Sequence, residues 1–309
     1  MNTKIIPSRL ERYLGCLLGL ACGDAVGTTV EFSPRGSFAP VTDMVGGGPF
    51  GLAPGQWTDD TSMALCLAES LLTKQGFDAH DQMTRYVNWW RWGYLSSTGH
   101  CFDIGMTVRG ALRSFLETGD PYSGSTDPEA AGNGSLMRLA PVVLFGYPDC
   151  GKVLQYAADS SRTTHGASEA VECCQLLAAL LCRILDGANK AQLLQDLGFE
   201  PWEHKVKELA RGGFLEKDAH GIRGSGYCVE SLEAALWCFY RTDTFRDAVL
   251  RAANLGDDAD TTAAIVGQIA GAYYGMERIP ASWRQRLALR EDIEEMASKL
   301  LAKNENKKQ

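Results

Sequence analysis

The sequence predicts an all-α fold in a single compact domain, and three observations carry that expectation. Apolar residues recur at spacings of three and four in at least six segments, alternating strand patterns are almost absent, and 45% hydrophobic content over 309 residues suffices for one large core. Ser8 is a suitable N-cap, after which Leu10, Tyr13, Leu14, Leu17, Leu18 and Ala21 trace the buried stripe of a first helix. Gly15, Gly19, Gly23 and Gly27 form a second row every four residues. Glycine in a helix interior costs about 1 kcal/mol against alanine, so close packing or a ligand near backbone must offset this row. Asp24 and Glu31, seven residues apart, fall on a similar face where this element ends. Glu31 is the better candidate for a site acid, because it separates an apolar segment from the irregular stretch SPRGSFAPVTDMVGGGPFGLAPG. A connection of that length usually lines a site or acts as a lid.

The segment GQWTDDTSMA then sets Asp59 and Asp60 side by side where loop composition gives way to an apolar run. Met63, Ala64, Leu67 and Leu71 repeat at helical spacing until Lys74 and Gly76 supply stop signals, so the pair starts a helix. Acids in a first turn complement the helix dipole, and for one pair that account would suffice. A second copy stands near the other end of the chain. In NLGDDADTTAAIVGQIAGAYYG, Asp257, Asp258 and Asp260 precede a helix with Ile265, Ile269, Ala272 and Tyr273 as its buried stripe, and Gly267 and Gly271 let a neighbour approach closely. A cap needs one acid. Carboxylates gathered at two such ends repel one another and lose hydration unless a positive charge joins them. A divalent metal is the natural counter-charge.

A net charge of −8 argues against a nucleic-acid partner, which usually meets a basic face. Most of the ten cysteines lie in apolar helical runs such as VECCQLLAALLCRIL, the N-terminus has no signal-peptide pattern, and no CxxC pair occurs. They read as small core residues of a soluble, cytoplasmic, monomeric protein. The longest apolar tract is interrupted by Gly23 and Asp24, so no membrane span is expected. Residues 188–223 read as loops with a short helix. A single folded domain is expected over 1–303, with a disordered tail over 304–309.

The phrases GLACGDAVGTTVEF, WTDDTSMAL, STGHCFDIG, GNGSLMRLAPV, THGASEAVECC, GSGYCVESLEAALW and NLGDDADTTAAIVGQIAGAYYG together resemble the ADP-ribosylglycohydrolase family, in particular its bacterial members that activate dinitrogenase reductase. The resemblance implies an orthogonal helical bundle with two divalent cations, magnesium or manganese. Their ligands would be Thr58, Asp59 and Asp60 from one helix start and Asp258, Asp260 and Thr261 from the other, all of them hard oxygen donors. Glu31 matches the acid closing the first motif, and either Glu31 or Asp60 would position or deprotonate the attacking water. ADP-ribose contacts are expected from Gly105, Asn133, Gly134, Ser135 and His165, the glycines because backbone N–H groups reach a diphosphate where no Cβ intervenes. Tyr227 is expected to stack on adenine. Asp103 either grips the guanidinium of an arginine leaving group or caps the following helix. Arg138 either pairs with a core carboxylate or touches phosphate.

The reaction so implied is hydrolysis of the N-glycosidic bond between ADP-ribose and a protein side chain, in particular arginine. The alternatives are another ADP-ribosyl linkage on serine, a nucleic-acid end or a metabolite, and a protein that binds ADP-ribose or occludes a toxin. A prenyl-diphosphate synthase is disfavoured because the spaced DDxxD pattern is missing. No GxGxxG after a strand calls for a nicotinamide cofactor.

Overall fold

The computed structural model describes residues 6–306, and among these it contains thirteen α-helices and no β-sheet beyond isolated bridges. In chain order they are α1 (Arg9–Gly27), α2 (Asp59–Lys74), α3 (Ala79–Trp92), α4 (Met106–Thr118), α5 (Ala140–Gly146), α6 (Cys150–Arg162), α7 (Ser168–Leu185), α8 (His204–Ala210), α9 (Cys228–Tyr240), α10 (Phe245–Ala253), α11 (Ala259–Tyr274), α12 (Ala281–Arg286) and α13 (Arg290–Asn306).

Ser8 caps α1 as expected. Its hydroxyl accepts from the Glu11 N–H while the Glu11 carboxylate accepts from the Ser8 N–H, a reciprocal capping box. The glycine row of α1 lies against α11. A Cβ placed on Gly19 would stand 2.3 Å from the Gly267 carbonyl oxygen, and one on Gly271 only 1.8 Å from that of Gly15. The two backbones therefore touch. This contact answers the glycine question, since close packing rather than a ligand occupies the smooth side.

The segment Arg9–Val30 is long and apolar enough to cross a membrane by length and composition, which corrects the expectation that no stretch would be. Its most apolar window is 89% buried inside the protein, as a core helix is. All ten cysteines are free and eight are buried. Arg12, also buried, uses its guanidinium to hold the Ala272 carbonyl at the end of α11. The chain does not fray from residue 304: α13 runs to Asn306, and the buried Asn304 donates to the Tyr13 hydroxyl at 3.1 Å and the Leu144 carbonyl at 2.7 Å. Residues 307–309 lie outside the described part.

The long connection between α1 and α2 is tied down rather than free to swing. The Arg35 guanidinium holds the carbonyls of Ala219, Ile222 and Leu255, and Asn254 exchanges two hydrogen bonds with the backbone of Val41. A smaller apolar cluster of Met63, Met83, Tyr86, Trp89, Leu112 and Phe115 joins α2, α3 and α4. Of the aromatic run NWWRWGY, Trp89 belongs to that cluster while Trp92 is exposed to solvent.

Candidate metal and ligand site

The α1/α11 seam brings two helix starts together. Thr58 caps α2 and Asp258 caps α11, so the acids that follow them face one another across the end of the seam. Asp24, fully buried on α1, fixes the first of these starts. It accepts from Thr58 N–H (2.9 Å), Thr61 N–H (3.1 Å) and the Thr61 hydroxyl (2.6 Å), with the Thr58 hydroxyl at 3.0 Å. Asp24 is thus a brace beneath the site. The sequence favoured Glu31 over Asp24 as the site acid by its place before the long irregular stretch, but gave no sign that Asp24 would serve as a brace.

Glu31, Asp59, Asp60, Asp258, Asp260 and Thr261 line one cavity of about 500 Å³, together with Asp103, Gly105, Asn133, Gly134 and His165. Glu31, Asp103 and Asp260 place ligand oxygens within 4.8 Å of one another and can together hold a metal ion. Burial, followed by the charges of Asp103 and Asp258, lifts Glu31 to about 9. Burial and neighbouring carboxylates raise Asp59, Asp60 and Asp260 well above the usual carboxylate range. For Asp103 the same causes, burial first and then Asp24 and Asp258, give about 7.

These groups fit divalent cations on more than charge. Among the described residues Asp60 Oδ2 and Asp260 Oδ1 are buried without any hydrogen-bond partner, which is costly unless a ligand supplies one. The Thr58 hydroxyl lies 3.3 Å from Asp260 Oδ2 and 3.0 Å from Asp24 Oδ1, and its single proton serves only one of them. Every donor in the set is oxygen, the choice of hard divalent ions.

Asp103 does not cap α4: the helix begins at Met106 with Gly105 at the cap and no side-chain cap bond. Its backbone sits at φ +58°, and Phe32, directly after Glu31, sits at φ +60°. A positive φ is uncommon for Phe, though less so for Asp, and such conformations are frequent at functional sites. Asp257 turns away to solvent. Its backbone instead exchanges hydrogen bonds with Phe32 (2.7 Å) and Ser33 (2.8 Å), tying the Glu31 segment to the start of α11. Asn133 donates to Asp258 Oδ2 at 2.8 Å, so its amide orients that acid.

Several expectations change at this point. Ser135 does not line the cavity; its buried hydroxyl faces Ser161 Oγ at 2.9 Å and Cys174 Sγ at 3.2 Å. Gly134 is glycine because of the protein itself, since a Cβ there would stand 2.8 Å from the His165 ring. His165, expected to contact ADP-ribose, does line the cavity, and burial followed by the Arg138 charge pushes its ring down to about 3. Among the described residues Arg138 pairs with no carboxylate, and it lines no part of the cavity. It is buried with its guanidinium 4.7 Å from the Tyr86 ring centre, and it donates to the Ser160 carbonyl and the Thr164 hydroxyl. Tyr227 lines a neighbouring cavity of about 630 Å³, which shares Thr107, Gly132 and Gly226 with the acidic one.

The cavity mouth holds side chains that the sequence reading missed. Phe32, Phe50 and Met106 line it, and the Phe50 ring lies 5.2 Å from Phe102 and 6.4 Å from Phe32. Isolated aromatics in an irregular loop carry no periodic signal, so only their adjacency to Glu31 and Asp103 could have pointed to them.

A family model described as ADP-ribosylglycohydrolase matches residues 6–309. The ADP-ribosylarginine hydrolase Tri1 of Pseudomonas putida (strain GB-1) is 46% identical over 291 residues, 94% of this chain and 78% of that protein. The protein of the same name from Serratia proteamaculans (strain 568) is 45% identical over 97% of this chain and 82% of its own length. The ADP-ribosyl-[dinitrogen reductase] glycohydrolase of Rhodospirillum rubrum, the type that the motifs suggested, is 32% identical over 93% of this chain and 94% of its own. A solved structure titled ADP-ribosylglycohydrolase-related protein complex superposes with a TM-score of 0.84 at 47% identity, covering 96% of this chain and 98% of that one.

Proposed function

The chain belongs to the ADP-ribosylglycohydrolase family, and from that premise we propose that it hydrolyses the N-glycosidic bond joining ADP-ribose to an arginine side chain of a modified protein. The observation that carries the reading is the meeting of Glu31, Asp59, Asp60, Asp103, Asp258 and Asp260 in one cavity. Its chemistry suits a sugar with vicinal hydroxyls and a cationic leaving group. In the reaction the C–N bond at the anomeric carbon breaks, water supplies a hydroxyl to that carbon, and its remaining proton goes to the departing guanidine nitrogen.

Thr58, Asp59, Asp60, Asp258, Asp260 and Thr261 would hold two divalent cations, magnesium or manganese. Such ions, when bound, supply Lewis-acid stabilisation of oxygen and fix sugar hydroxyls. Either Glu31 or Asp60 positions the attacking water and accepts its proton. Asn133 keeps Asp258 aimed into the cavity. Asp103 pairs with the guanidinium, favouring a planar cationic leaving group over a serine hydroxyl. The neighbouring cavity at Tyr227 takes the adenosine end, reached past Gly132 and Gly226.

The test is turnover of matched peptides carrying ADP-ribose on arginine or on serine, with and without EDTA, read by mass spectrometry. The arginine-linked peptide should dominate, with activity lost on chelation and restored by magnesium or manganese. Preference for serine would overturn the linkage, and turnover that survives full chelation would overturn the metal chemistry.

A further inference from the structure

Three buried side chains beside the cavity form a chain whose hydrogen-bond directions are fixed from one end. Arg138 Nη2 lies 2.7 Å from Thr164 Oγ1, and Thr164 Oγ1 lies 2.8 Å from His165 Nδ1. Arginine only donates. The Thr164 oxygen therefore accepts from Arg138, and its own proton needs a further acceptor. Among the described residues, His165 Nδ1 is the one hydrogen-bond partner left to it. If Nδ1 were itself protonated, Thr164 would receive two donors and its buried O–H would be stranded, an arrangement that native interiors avoid.

We propose that Arg138 and Thr164 fix the tautomer of His165, so that Nε2 presents a permanent N–H to an oxygen of the ligand in the acidic cavity. The ring meets the geometric requirement. His165 is 2% exposed yet lines the cavity, and no hydrogen bond to its Nε2 is found among the described residues. The ring edge lies under the glycine loop, since a Cβ on Gly132 would approach Nε2 at 3.3 Å and one on Gly134 at 3.1 Å. Gly132 and Gly134 therefore leave room for the ring. Burial and the Arg138 charge keep the ring neutral, so Nε2–H remains a donor without net charge. Such a group serves a phosphate or hydroxyl oxygen equally and adds no positive charge to compete with cations at the acids. Arg138 and Thr164 are positioning residues here, acting only through His165.

The identity of the ligand rests on the proposed function, whereas the tautomer does not, so the two are read separately. In the ligand-free protein, nitrogen-15 NMR of the histidine rings should show His165 with Nδ1 unprotonated and Nε2 protonated. Thr164→Val should abolish that single-tautomer signature, while Thr164→Ser should keep it because the hydroxyl remains. ADP-ribose, as the probe, should bind the Val variant about tenfold more weakly, the scale of one net hydrogen bond, and the Ser variant nearly as the parent does. A protonated Nδ1 in the parent protein would overturn the inference without any variant. An unchanged tautomer in folded Thr164→Val would equally overturn it. Failure of ADP-ribose to bind the parent would instead overturn the ligand reading, leaving the NMR result to decide the tautomer.

Discussion

The same two helices, α1 and α11, make opposite kinds of contact along their length. In the seam their backbones touch, with Gly15 and Gly19 set against Gly271 and Gly267, and all four of these contact positions are glycine. Where the seam ends, α11 begins with Asp258 and Asp260 and faces the start of α2, and carboxylate oxygens lie buried without partners. The seam tolerates no added atom, while the cleft is short of favourable partners. Stability concentrated in the seam offsets the repulsion collected at its end, and the acids remain close because the helices beneath them cannot separate.

The largest way to break this arrangement is to add one methyl group to the seam. Gly271→Ala would put a Cβ 1.8 Å from the Gly15 carbonyl oxygen, where only backbone movement can relieve it. The expected loss is about 3 kcal/mol or more, at the upper end of overpacking costs. Gly110→Ala is the control, because that position in α4 is open and alanine there should gain up to about 1 kcal/mol. Denaturant unfolding of both variants checks the pair. Similar midpoints would mean that the seam is softer than its geometry.

The cleft should respond in the other direction. Asp258→Ala or Asp59→Ala removes a proposed ligand and one repelling charge together, so activity should fall by about two orders of magnitude or more while the helical fold persists. The parent's melting temperature should rise with added magnesium or manganese, as binding to the native state alone requires. In the variants that rise should shrink, and their melting temperature in EDTA should match or exceed the parent's. Turnover near the parent's level in both variants, with metal in excess, would remove the proposed centre.

Legibility in the sequence follows the same division. The α1 and α11 pattern could be read because helical periodicity and glycine spacing are local signals, and the capped start at Ser8 carried its partner Glu11 three residues away. The acid pairs were legible as an anomaly, since more carboxylates stood at two helix starts than capping needs. Long-range pairing was not legible. That Asp24 braces α2 through Thr58 and Thr61, that Asn133 aims Asp258, and that Arg138 reaches Thr164 all depend on which loops meet, and no residue spacing encodes that. Ser135 was misread for the same reason. It shares the glycine loop with Asn133, yet its side chain points to Ser161 in α6.

Asp103 sharpens the cleft side, because its carboxylate groups with Glu31 and Asp260 and is also the proposed guanidinium partner. Asp103→Asn keeps the size and loses the charge, so kcat/KM on arginine-linked substrate should fall about ten- to a hundredfold, on the order of 1.5–3 kcal/mol. Affinity for free ADP-ribose should change much less. A parallel loss of metal affinity, measured by titration calorimetry, would show Asp103 acting as a ligand instead, and the arginine preference would lose its residue-level support.

The smallest expected effect lies between the two regions, at His165, which is buried like the seam yet lines the cleft. Its folded-state value near 3 lies below the ordinary value of 6.5, because burial and then the Arg138 charge oppose protonation. The unfolded chain thus binds a proton at this ring in a pH range where the native state does not. The sign follows: the contribution to stability is fully present above about pH 6.5 and is lost progressively as pH falls toward 3. At pH 5.5 the loss should be about 1.4 kcal/mol. His165→Gln removes the titrating group, so unfolding free energy measured in EDTA should fall less steeply for the variant than for the parent between pH 7 and 5.5, with every other titrating group shared. Parallel curves over that interval would mean that the native ring takes up its proton as readily as the unfolded chain does. The cleft would then be wetter at His165 than its 2% exposure implies, and the ring would belong to the cleft rather than to the packed interior behind it.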